Sequence, residues 1–469
     1  AGNFTFGGLV AGNNVTFSGA MDLGSSARTI TVTSPAVTAT VSGVVTSSIS
    51  SGTALTKAGA GVLTLSAVSS LNGGAVAVTA GILKFGIAGA IPTASAITIS
   101  AGAGLDLNGF DLNAVTQSVT SSGFITNSAA STSTITVAGT GSTDVTTVGD
   151  VSLGLVLADN YLSNALSKLG LTKGGLGTLT FTNTTSVNSG NILVVAGAVN
   201  GNANNTFSPN ATVVLGNAST ATAATPTATL DVLSYNQTIA GITAGTTTNV
   251  ASAVVRIGSG KTLTTTGTNT FGSDTSAADV TTVNFTDGGT FVANGALFQV
   301  GGAASASLFN TAVTVDMTAL SAFTVNAGST GIFRLGDVAS TNGATTIVKL
   351  APTSTITANL IGIGDISTGT LLQTLRLGST SNILNANTIT LGTAPTSGSR
   401  GSGTLNFNSG SGTLTIRGLA AGTTRANLNL VSSSMATGGA LTGIFDVTGH
   451  TANLRFDAMN LASRTNTLT

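Results

Sequence analysis

The stretch LTKAGAGVLTL, residues 55–65, returns almost unchanged as LTKGGLGTLTF at residues 171–181. The likeness continues beyond both stretches, through a variable segment and a glycine-containing turn into a second run of alternating apolar residues. Internal similarity that includes its own turns indicates a repeated supersecondary unit. The motif positions are Leu55, Lys57, Gly59, Gly61, Leu63, Gly74, Ala80 and Gly81 in the first copy, and Leu171, Lys173, Gly175, Gly177, Leu179, Gly190, Ala196 and Gly197 in the second.

The composition favours strands over helices. Charged residues make up only 6% of the chain, and its acidic residues are all Asp, whereas about 25% of residues are charged in an ordinary domain. The long polar residues that usually fill exposed helix positions are therefore scarce. Because 41% of the residues are hydrophobic, the chain is able to bury a core and avoid disorder. A short helix is an alternative only at residues 160–171, where leucines stand at helical spacing.

Short runs with an apolar residue at every second position recur along the chain, each bounded by Gly, Asn, Ser or Asp. ARTITVTS (residues 27–34) and TLTFTN (residues 178–183) are examples. This period predicts short strands with one buried face. A repeat that tolerates inserted residues fits stacked strands, with the insertions leaving as loops, better than an antiparallel sandwich. We therefore predict an all-β fold, an elongated right-handed parallel β-helix (β-solenoid) with little or no helix.

The repeat also predicts the domain organisation. We expect one continuous β-solenoid over residues 1–469, with repeat motifs at residues 55–112 and 171–245. A looser repeat region follows at residues 320–430. Residues 431–469 are the expected C-terminal cap or assembly segment.

Residues 55–85 resemble the autotransporter-associated β-strand repeat of bacterial surface and secreted proteins, whose pattern is L-x-K-x-G-x-G-x-L-x-L, then N-x-G-G, then V-x-A-G-x-L. Residues 171–199 match the same pattern with two departures, Ser189 for the first glycine of the pair and Val199 for the final leucine. The resemblance implies a parallel β-helix exported to the surface of a Gram-negative-type bacterium. The last residues of the chain lack the aromatic-girdled strands of a translocating barrel, so the resemblance implies either cleavage or a different export route.

Charge and cysteine content exclude several classes of function. The 15 basic and 15 acidic residues balance, so the sequence offers no basic face for nucleic acid. There is no Cys, hence no disulfide framework and no thiolate chemistry. No stretch reaches the roughly 18 apolar residues that a membrane-spanning helix needs. A chain that starts at Ala1 fits a mature secreted protein whose signal peptide has been removed.

Candidate catalytic groups are few. His450 is the only histidine, and we interpret it as a loop residue, not a metal ligand or triad member. The sequence GSGKT (residues 258–262) ends like a phosphate loop. However, Val255 occupies the position of the first glycine of that motif, and no helical pattern follows. We interpret it as a turn.

Paired carboxylates would be needed for glycosidase chemistry on a β-helix. The closest pairs along the chain are Asp106 with Asp111 and Asp274 with Asp279. Asp106 has a counterpart in Asp231 within the repeat, which favours a structural role at a strand corner. We expect no enzyme and no catalytic, cofactor or metal site, although an isolated Ca²⁺ at an Asp/Asn turn such as Asp274 or Asp287 is left open.

Lys57 and Lys173 occupy the same motif position. One interpretation is a repeated contact to a sugar or an anion. We favour exposed turn lysines that discourage pairing of strand edges.

These features predict an extracellular structural protein that assembles with itself through its termini into a surface fibre, sheath or layer. A solenoid has two open strand edges, and no charged side chain precedes Asp22 to protect the first of them. The alternative is a cleaved passenger acting as an adhesin stalk, with binding loops near residues 121–160 and 200–228 and a surface polysaccharide or a host or neighbouring cell as its partner. A polysaccharide-active enzyme is a lesser alternative.

Overall fold

The computed structural model describes residues 2–7, 14–113, 117–137, 151–153, 156–158, 168–216, 227–244, 252–272, 280–301, 312–336, 345–364, 372–394, 401–433 and 442–464. These residues form 44 strands and no helix. The prediction of an all-β chain is confirmed. The pairings between named strands whose register is described are all parallel, and the antiparallel contacts described are two isolated bridges.

Alternation of side chains explains why these segments become strands. In AVAV at Ala75–Val78, the two valines are fully buried and the two alanines are half-buried. TFVA at Thr290–Ala293 repeats the pattern with Phe291 and Ala293 buried. Because successive side chains of a strand point to opposite faces, each short run places one face in the core.

The chain divides into two compact units. The first comprises residues 1–140, 146–192 and 206–211. Its strands are β1 (Phe4–Phe6), β2 (Val15–Phe17), β3 (Met21–Asp22), β4 (Arg28–Val32), β5 (Thr38–Val41), β6 (Val45–Thr46), β7 (Thr53–Ala58), β8 (Val62–Leu65), β9 (Ala75–Val78), β10 (Ile82–Phe85), β11 (Ile97–Ile99), β12 (Gly104–Asp106), β13 (Leu112–Asn113), β14 (Val119–Ser121), β15 (Phe124–Thr126), β16 (Thr132–Val137), β17 (Val151–Leu153), β18 (Val156–Ala158), β19 (Lys168–Lys173) and β20 (Thr178–Phe181).

Consecutive strands of the first unit belong to different sheets. One sheet has the order β1-β4-β7-β9-β11-β14, a second has β2-β5-β8-β10-β12-β15-β18 in spatial sequence, and β3 pairs with β6. The chain thus leaves a sheet, forms strands of other sheets, and returns to add one parallel strand to the first. The stretches between successive strands of one sheet are nearly equal in length, since Leu55 pairs with Val76, Val76 with Ile97 and Ile97 with Val119.

The second unit comprises residues 141–145, 193–205 and 212–469; β21 (Ile192–Val194) has its first residue in the first unit and the others in the second. Its further strands are β22 (Gly197–Gly201), β23 (Thr212–Leu215), β24 (Ala228–Val232), β25 (Gln237–Ile239), β26 (Gly241–Ala244), β27 (Ser252–Ile257), β28 (Thr262–Thr265), β29 (Asn269–Phe271), β30 (Val280–Thr286), β31 (Thr290–Ala293), β32 (Leu297–Val300), β33 (Ala312–Asp316), β34 (Ala322–Leu335), β35 (Thr345–Lys349), β36 (Thr353–Ile363), β37 (Leu372–Leu377), β38 (Ser381–Ala394), β39 (Ser402–Phe407), β40 (Thr413–Arg417), β41 (Ala426–Ser433), β42 (Gly443–Phe445), β43 (Thr451–Leu454) and β44 (Phe456–Arg464).

Three rows of parallel strands build the second unit. One row is β22-β24-β27-β30-β33-β35-β37-β39-β42. A second row contains β25, β28 and β31 and ends in β40 and β43, and a third contains β26, β29 and β32 and ends in β41 and β44. The long strands β34, β36 and β38 belong to the second row with their first halves and to the third row with their second halves.

Inserted residues lengthen the repeat in this unit without disturbing its pairing. In the first row, Val315 pairs with Val348 and Leu375 pairs with Leu405, so the chain between register partners is longer than in the first unit. The extra residues are inserted between strands, and the pairing of neighbouring strands in the row stays parallel.

Phenylalanines form part of the core of the second unit, which the low aromatic content did not predict. Phe291 stacks on Phe323 with ring centroids 5.6 Å apart, and Phe298 stacks on Phe333 at 5.2 Å. All four rings are fully buried. Offset and tilted ring pairs at these distances add about 0.5–1.5 kcal/mol beyond the burial of area.

The structure tests the alternative of a short helix at residues 160–171 only in part. Residues 168–171 belong to β19, and residues 160–167 lie outside the described part of the chain. Within the described residues, nothing helical has the length and apolar character to cross a bilayer.

Candidate functional site

The Lys57 side chain lies inside the first unit and binds backbone. Its Nζ donates to the carbonyl oxygens of Ala58 at 3.0 Å, Gly59 at 2.7 Å and Ala80 at 2.9 Å. The residue has no exposed surface. An ammonium group has three N–H donors, so these three carbonyls satisfy all of them. The lysine therefore joins the end of β7 to the segment between β9 and β10, one repeat later.

Lys173 is equally buried, and its Nζ donates to the carbonyls of Gly174 at 2.5 Å and Gly175 at 2.9 Å. The interpretation of these lysines as exposed turn residues is therefore wrong. The same burial removes the alternative of a surface contact to a sugar or an anion. The reason is that the backbone turns sharply after each strand, and buried carbonyl groups in the turn need hydrogen-bond donors, which the lysine ammonium group supplies.

Burial lowers the pKa of Lys57 to about 8. Desolvation disfavours the charged form of a buried amine, and among the described residues no carboxylate lies within ion-pairing distance to oppose it. The group is held by backbone dipoles alone. This arrangement suits a structural anchor.

The motif glycines that follow each lysine share one backbone conformation. Gly59 and Gly175 have φ values of 75° and 69°. Gly81 and Gly197, which stand at corresponding positions later in the motif, have 64° and 69°. A side chain at Gly59 would also place its Cβ 2.3 Å from the carbonyl oxygen of Val32. Both conformation and space therefore require glycine there.

Asp106 lies at a strand corner with neighbours from three successive repeats. It is fully buried, and its Oδ1 accepts from the backbone N–H of Asn108 and of Ser128, each at 2.9 Å. The Ser128 hydroxyl donates to Oδ2 at 2.5 Å and accepts from Lys84 Nζ at 2.7 Å. Asp231 likewise accepts from the backbone N–H two residues on, at Leu233. Both carboxylates thus close strand corners, as the sequence predicted.

The carboxylate pairs considered for catalysis have separate roles. Asp111 accepts from the backbone N–H of Thr134 at 2.8 Å, whereas Asp106 has the partners given above and an ion pair with Lys84 Nζ at 3.5 Å. Asp274 and Asp279 lie outside the described residues.

Ion pairs connect neighbouring strands of the second unit. Asp287 accepts from Arg256 Nε at 3.1 Å. The hydroxyl of Thr286 and this guanidinium lower the pKa of Asp287. Lys349 Nζ lies 2.8 Å from Asp316, its register partner; hydrogen bonds from Lys349 and Thr318 lower the pKa of Asp316 despite its partial burial, which acts the other way. The carboxylate of Asp287, considered for Ca²⁺, is thus engaged by a cation of the protein itself.

The remaining chemical candidates lie in turns. The His450 ring stacks on Phe407 with centroids 3.7 Å apart, and its Nδ1 lies 3.1 Å from the carbonyl oxygen of Gly412. Across the described ranges, no group of three His, Cys, Asp or Glu residues is arranged to hold a metal ion. Residues 258–261 close a turn, with the N–H of Lys261 donating to the carbonyl of Gly258, and strand β28 begins at Thr262.

The last strands of the second unit expose core-facing apolar side chains. Met459 and Leu461 are in register with Leu428 and Leu430 of β41, and Leu428 is fully buried. Met459 is nevertheless 55% exposed and Leu461 66% exposed. In β43, Leu454 is the register partner of buried Ile416 and is 37% exposed. These side chains are exposed because no described strand covers the outer edges of β42, β43 and β44.

The first strands of the first unit have a matching open edge. Val15 and Phe17 of β2 are in register with Ala39 and Val41, which are both fully buried. Val15 is nevertheless 37% exposed, and Phe17 is only half-buried. Among the described strands, β1, β2 and β3 each pair on one side only.

The sequence placed an assembly segment at residues 431–469 and left its contact residues unidentified. The signal was present in FDAMNLASR (residues 456–464), where Met459 and Leu461 alternate with polar residues. That alternation predicts a strand with a core-facing side. It does not reveal that no described strand pairs with the outer edge of this strand.

Comparisons of the chain with protein-family models, with curated proteins and with solved structures gave no match. The resemblance to the autotransporter-associated repeat therefore rests on the motif residues alone.

Proposed function

We propose that this chain is an extracellular structural protein, a right-handed β-solenoid that assembles with itself into a surface fibre, sheath or layer. Parallel strands whose chain leaves and re-enters the same sheet are the pairing expected of such a solenoid. Connections between parallel strands of one sheet are right-handed in about 98% of cases. The repeat motif, with its resemblance to surface and secreted proteins of Gram-negative-type bacteria, supports an extracellular location.

The observation that carries the proposal is the exposed core-facing side of the terminal strands. An open strand edge presents unpaired N–H and C=O groups and is a template for another strand. Here the edge of β44 adds Met459 and Leu461, both more than half exposed, whereas their partners in the preceding strand are fully buried Leu428 and half-buried Leu430. Covering these side chains with a further strand would bury apolar area at about 25 cal/mol per Å².

The low charge of the chain supports the same proposal. Natural proteins protect strand edges with charged side chains, Lys above all. Across β1, β2, β42 and β43, no residue is charged. The other two edge strands carry few charges, Asp22 in β3 and Asp457 and Arg464 in β44.

The test is electron microscopy and light scattering of the purified protein over a range of concentrations. The wild type is expected to form regular filaments or sheets. A double variant, Met459→Lys with Leu461→Lys, is expected to remain as single particles with an unchanged circular dichroism spectrum, because two charges then occupy the open edge. Val187→Lys is the control, since Val187 is 52% exposed and belongs to neither edge.

Single particles of the wild type at every concentration would contradict self-assembly. That result would leave the monomeric adhesin as the better account.

A further inference from the structure

We propose that the contact between copies runs head to tail: strands β1, β2 and β3 of one copy continue the rows of β42, β43 and β44 of another, in parallel. This inference rests on the proposed self-assembly and specifies its partner surface, polarity and register. It follows from three properties of the two edges. These are the direction of the unpaired backbone groups, the face of the sheet on which the side chains lie, and the intervals between the strands along the chain.

Backbone groups at the edge of β42 point outward at alternate residues. The N–H of Gly403 donates to the carbonyl of Thr442, and the N–H of Asp446 donates to Leu405, so Thr442 and Asp446 face the neighbouring strand β39. Since successive residues of a strand face opposite edges, the groups of Gly443 and Phe445 point to the open side. The same reasoning applies to β43. The N–H of Arg455 donates to Ile416, which leaves Ala452 and Leu454 facing outward.

The first strands have the complementary pattern. The N–H of Thr33 donates to the carbonyl of Phe6, and the N–H of Ser42 donates to Phe17. Phe6 and Phe17 therefore face inward to β4 and β5, and the groups of Thr5 and Thr16 point to the open edge. In a parallel pair, an edge residue bonds the two residues that flank its partner. Thr5 fits between Gly443 and Phe445, and Thr16 fits between Ala452 and Leu454.

This register also places side chains on matching faces. Phe4 and Phe6 share a face with buried Ile30 and Val32. In the proposed contact, Phe6 would lie beside Phe445, which is in register with buried Leu405.

The proposed pairing of β2 with β43 also places side chains on matching faces. Val15 would lie beside Ala452, and Phe17 would lie beside Leu454, whose register partners on β40 are buried Leu414 and Ile416. A shift of one residue would put every side chain on the wrong face.

Strand spacing allows all three pairings together. The proposed register aligns Phe4 with Gly443, Val15 with Ala452 and Met21 with Met459. The three strands of one edge follow one another along the chain at nearly the same intervals as the three strands of the other edge. Met21, fully buried in its own unit, then lies beside Met459, which is mostly exposed.

The resulting contact is heterologous, since two different surfaces of the chain meet. A contact of this kind that does not close into a ring propagates as a filament. A tail-to-tail contact would instead pair β42 with itself in antiparallel fashion and stop at a dimer. No described strand pairing is antiparallel.

Disulfide trapping tests the polarity, because the chain contains no cysteine of its own. Thr5→Cys and Ile444→Cys introduce one thiol each at the proposed register pair, on the outward face. Directly paired residues in adjacent parallel strands lie about 4.8 Å apart, within the Cα separation that a disulfide spans. Both positions are exposed, so both variants are expected to fold, which circular dichroism checks.

The expected result is a disulfide-linked pair in the mixture of the two variants under mild oxidation, and no linked pair from either variant alone. A mixture of Thr5→Cys with Val187→Cys controls for random collision. A linked pair from Ile444→Cys alone would overturn the head-to-tail arrangement in favour of a tail-to-tail one.

Two further outcomes separate this inference from the proposed function. Assembly seen by scattering without linkage in the mixture would overturn the register and place the contact elsewhere, while the self-assembling function stands. Absence of any assembly of the wild type would overturn both.

Discussion

The side chains of Lys57 and Lys173 show how a charged residue can serve the interior of a protein with few charges. Each extends from the end of a strand into the turn that follows and donates to turn carbonyls. A buried carbonyl without a donor costs about 1–3 kcal/mol. The ammonium group provides several donors at one point, which no neutral aliphatic side chain does.

Replacing Lys57 by Met keeps most of the side-chain volume and removes the donors. We expect Lys57→Met to lower the free energy of unfolding by about 3 kcal/mol or more, because three carbonyls each lose a hydrogen bond at about 1–3 kcal/mol apiece. Chemical denaturation at neutral pH measures the change. Lys168→Met is the control, since Lys168 is exposed and a surface change of this kind stays within about 0.5 kcal/mol. Equal effects of the two substitutions would contradict the anchoring role.

The same lysine predicts a pH dependence of stability. Burial lowers the pKa of Lys57 from 10.5 to about 8. Between these pH values the unfolded chain keeps a proton that the folded chain has released, so the free energy of unfolding rises with pH. Below this window both states hold the proton and the contribution is constant. Wild type is therefore expected to gain stability relative to Lys57→Met between pH 8 and pH 10. A difference that shrinks or stays constant across this range would contradict the expectation.

The sequence predicted the strands better than it predicted the side-chain contacts of the turns. Alternation in segments such as AVAV (Ala75–Val78) identified strands, because a half-buried strand needs that period. The position of Lys57 just before a glycine turn was also visible, but its burial was not. A lysine next to glycine usually lies in solvent. The carbonyls of Ala58, Gly59 and Ala80 make the buried position favourable, and that of Ala80 comes from the next repeat.

Two turn glycines are required for different reasons, one because there is no space for a side chain and the other because of its backbone conformation. Alanine substitutions test the difference. A Cβ at Gly190 would lie 2.3 Å from the carbonyl oxygen of Leu169. Gly260 has a φ of 71° but open space around it. We expect Gly260→Ala to cost about 1 kcal/mol through backbone strain alone, and Gly190→Ala to cost clearly more, because backbone atoms must move. Thermal unfolding of both variants provides the comparison. A smaller loss for Gly190→Ala would refute the steric argument.

At the scale of the whole molecule, parallel pairing was predicted from the repeat, and the described strands confirm it. The division into two units was not predicted, because sequence similarity between motif copies carries no information about which repeats pack more closely. The phenylalanine core between Phe271 and Phe333 was also missed. A low overall aromatic content hides a local concentration of rings.

Self-assembly through sparsely charged edges predicts a weak dependence on salt. Strands β1, β2, β42 and β43 contain no charged residue, and β3 and β44 add only Asp22, Asp457 and Arg464, so screening has little to act on even where the Debye length falls to about 3 Å near 1 M salt. Light scattering at low and high sodium chloride is expected to give the same concentration for the onset of assembly. Dissolution of the assemblies by moderate salt would instead point to an electrostatic contact between copies.

The spacing of register partners has a consequence for how the chain reaches its folded state. Each strand of a row finds its partner in the repeat just before it, as in Ile82 with Val62 and Val348 with Val315. The entropy cost of closing the chain between two partners grows only slowly with the number of residues between them. A nascent strand therefore needs only the repeat just completed as its template. Folding is then able to advance along the chain in one direction while later residues are still unstructured.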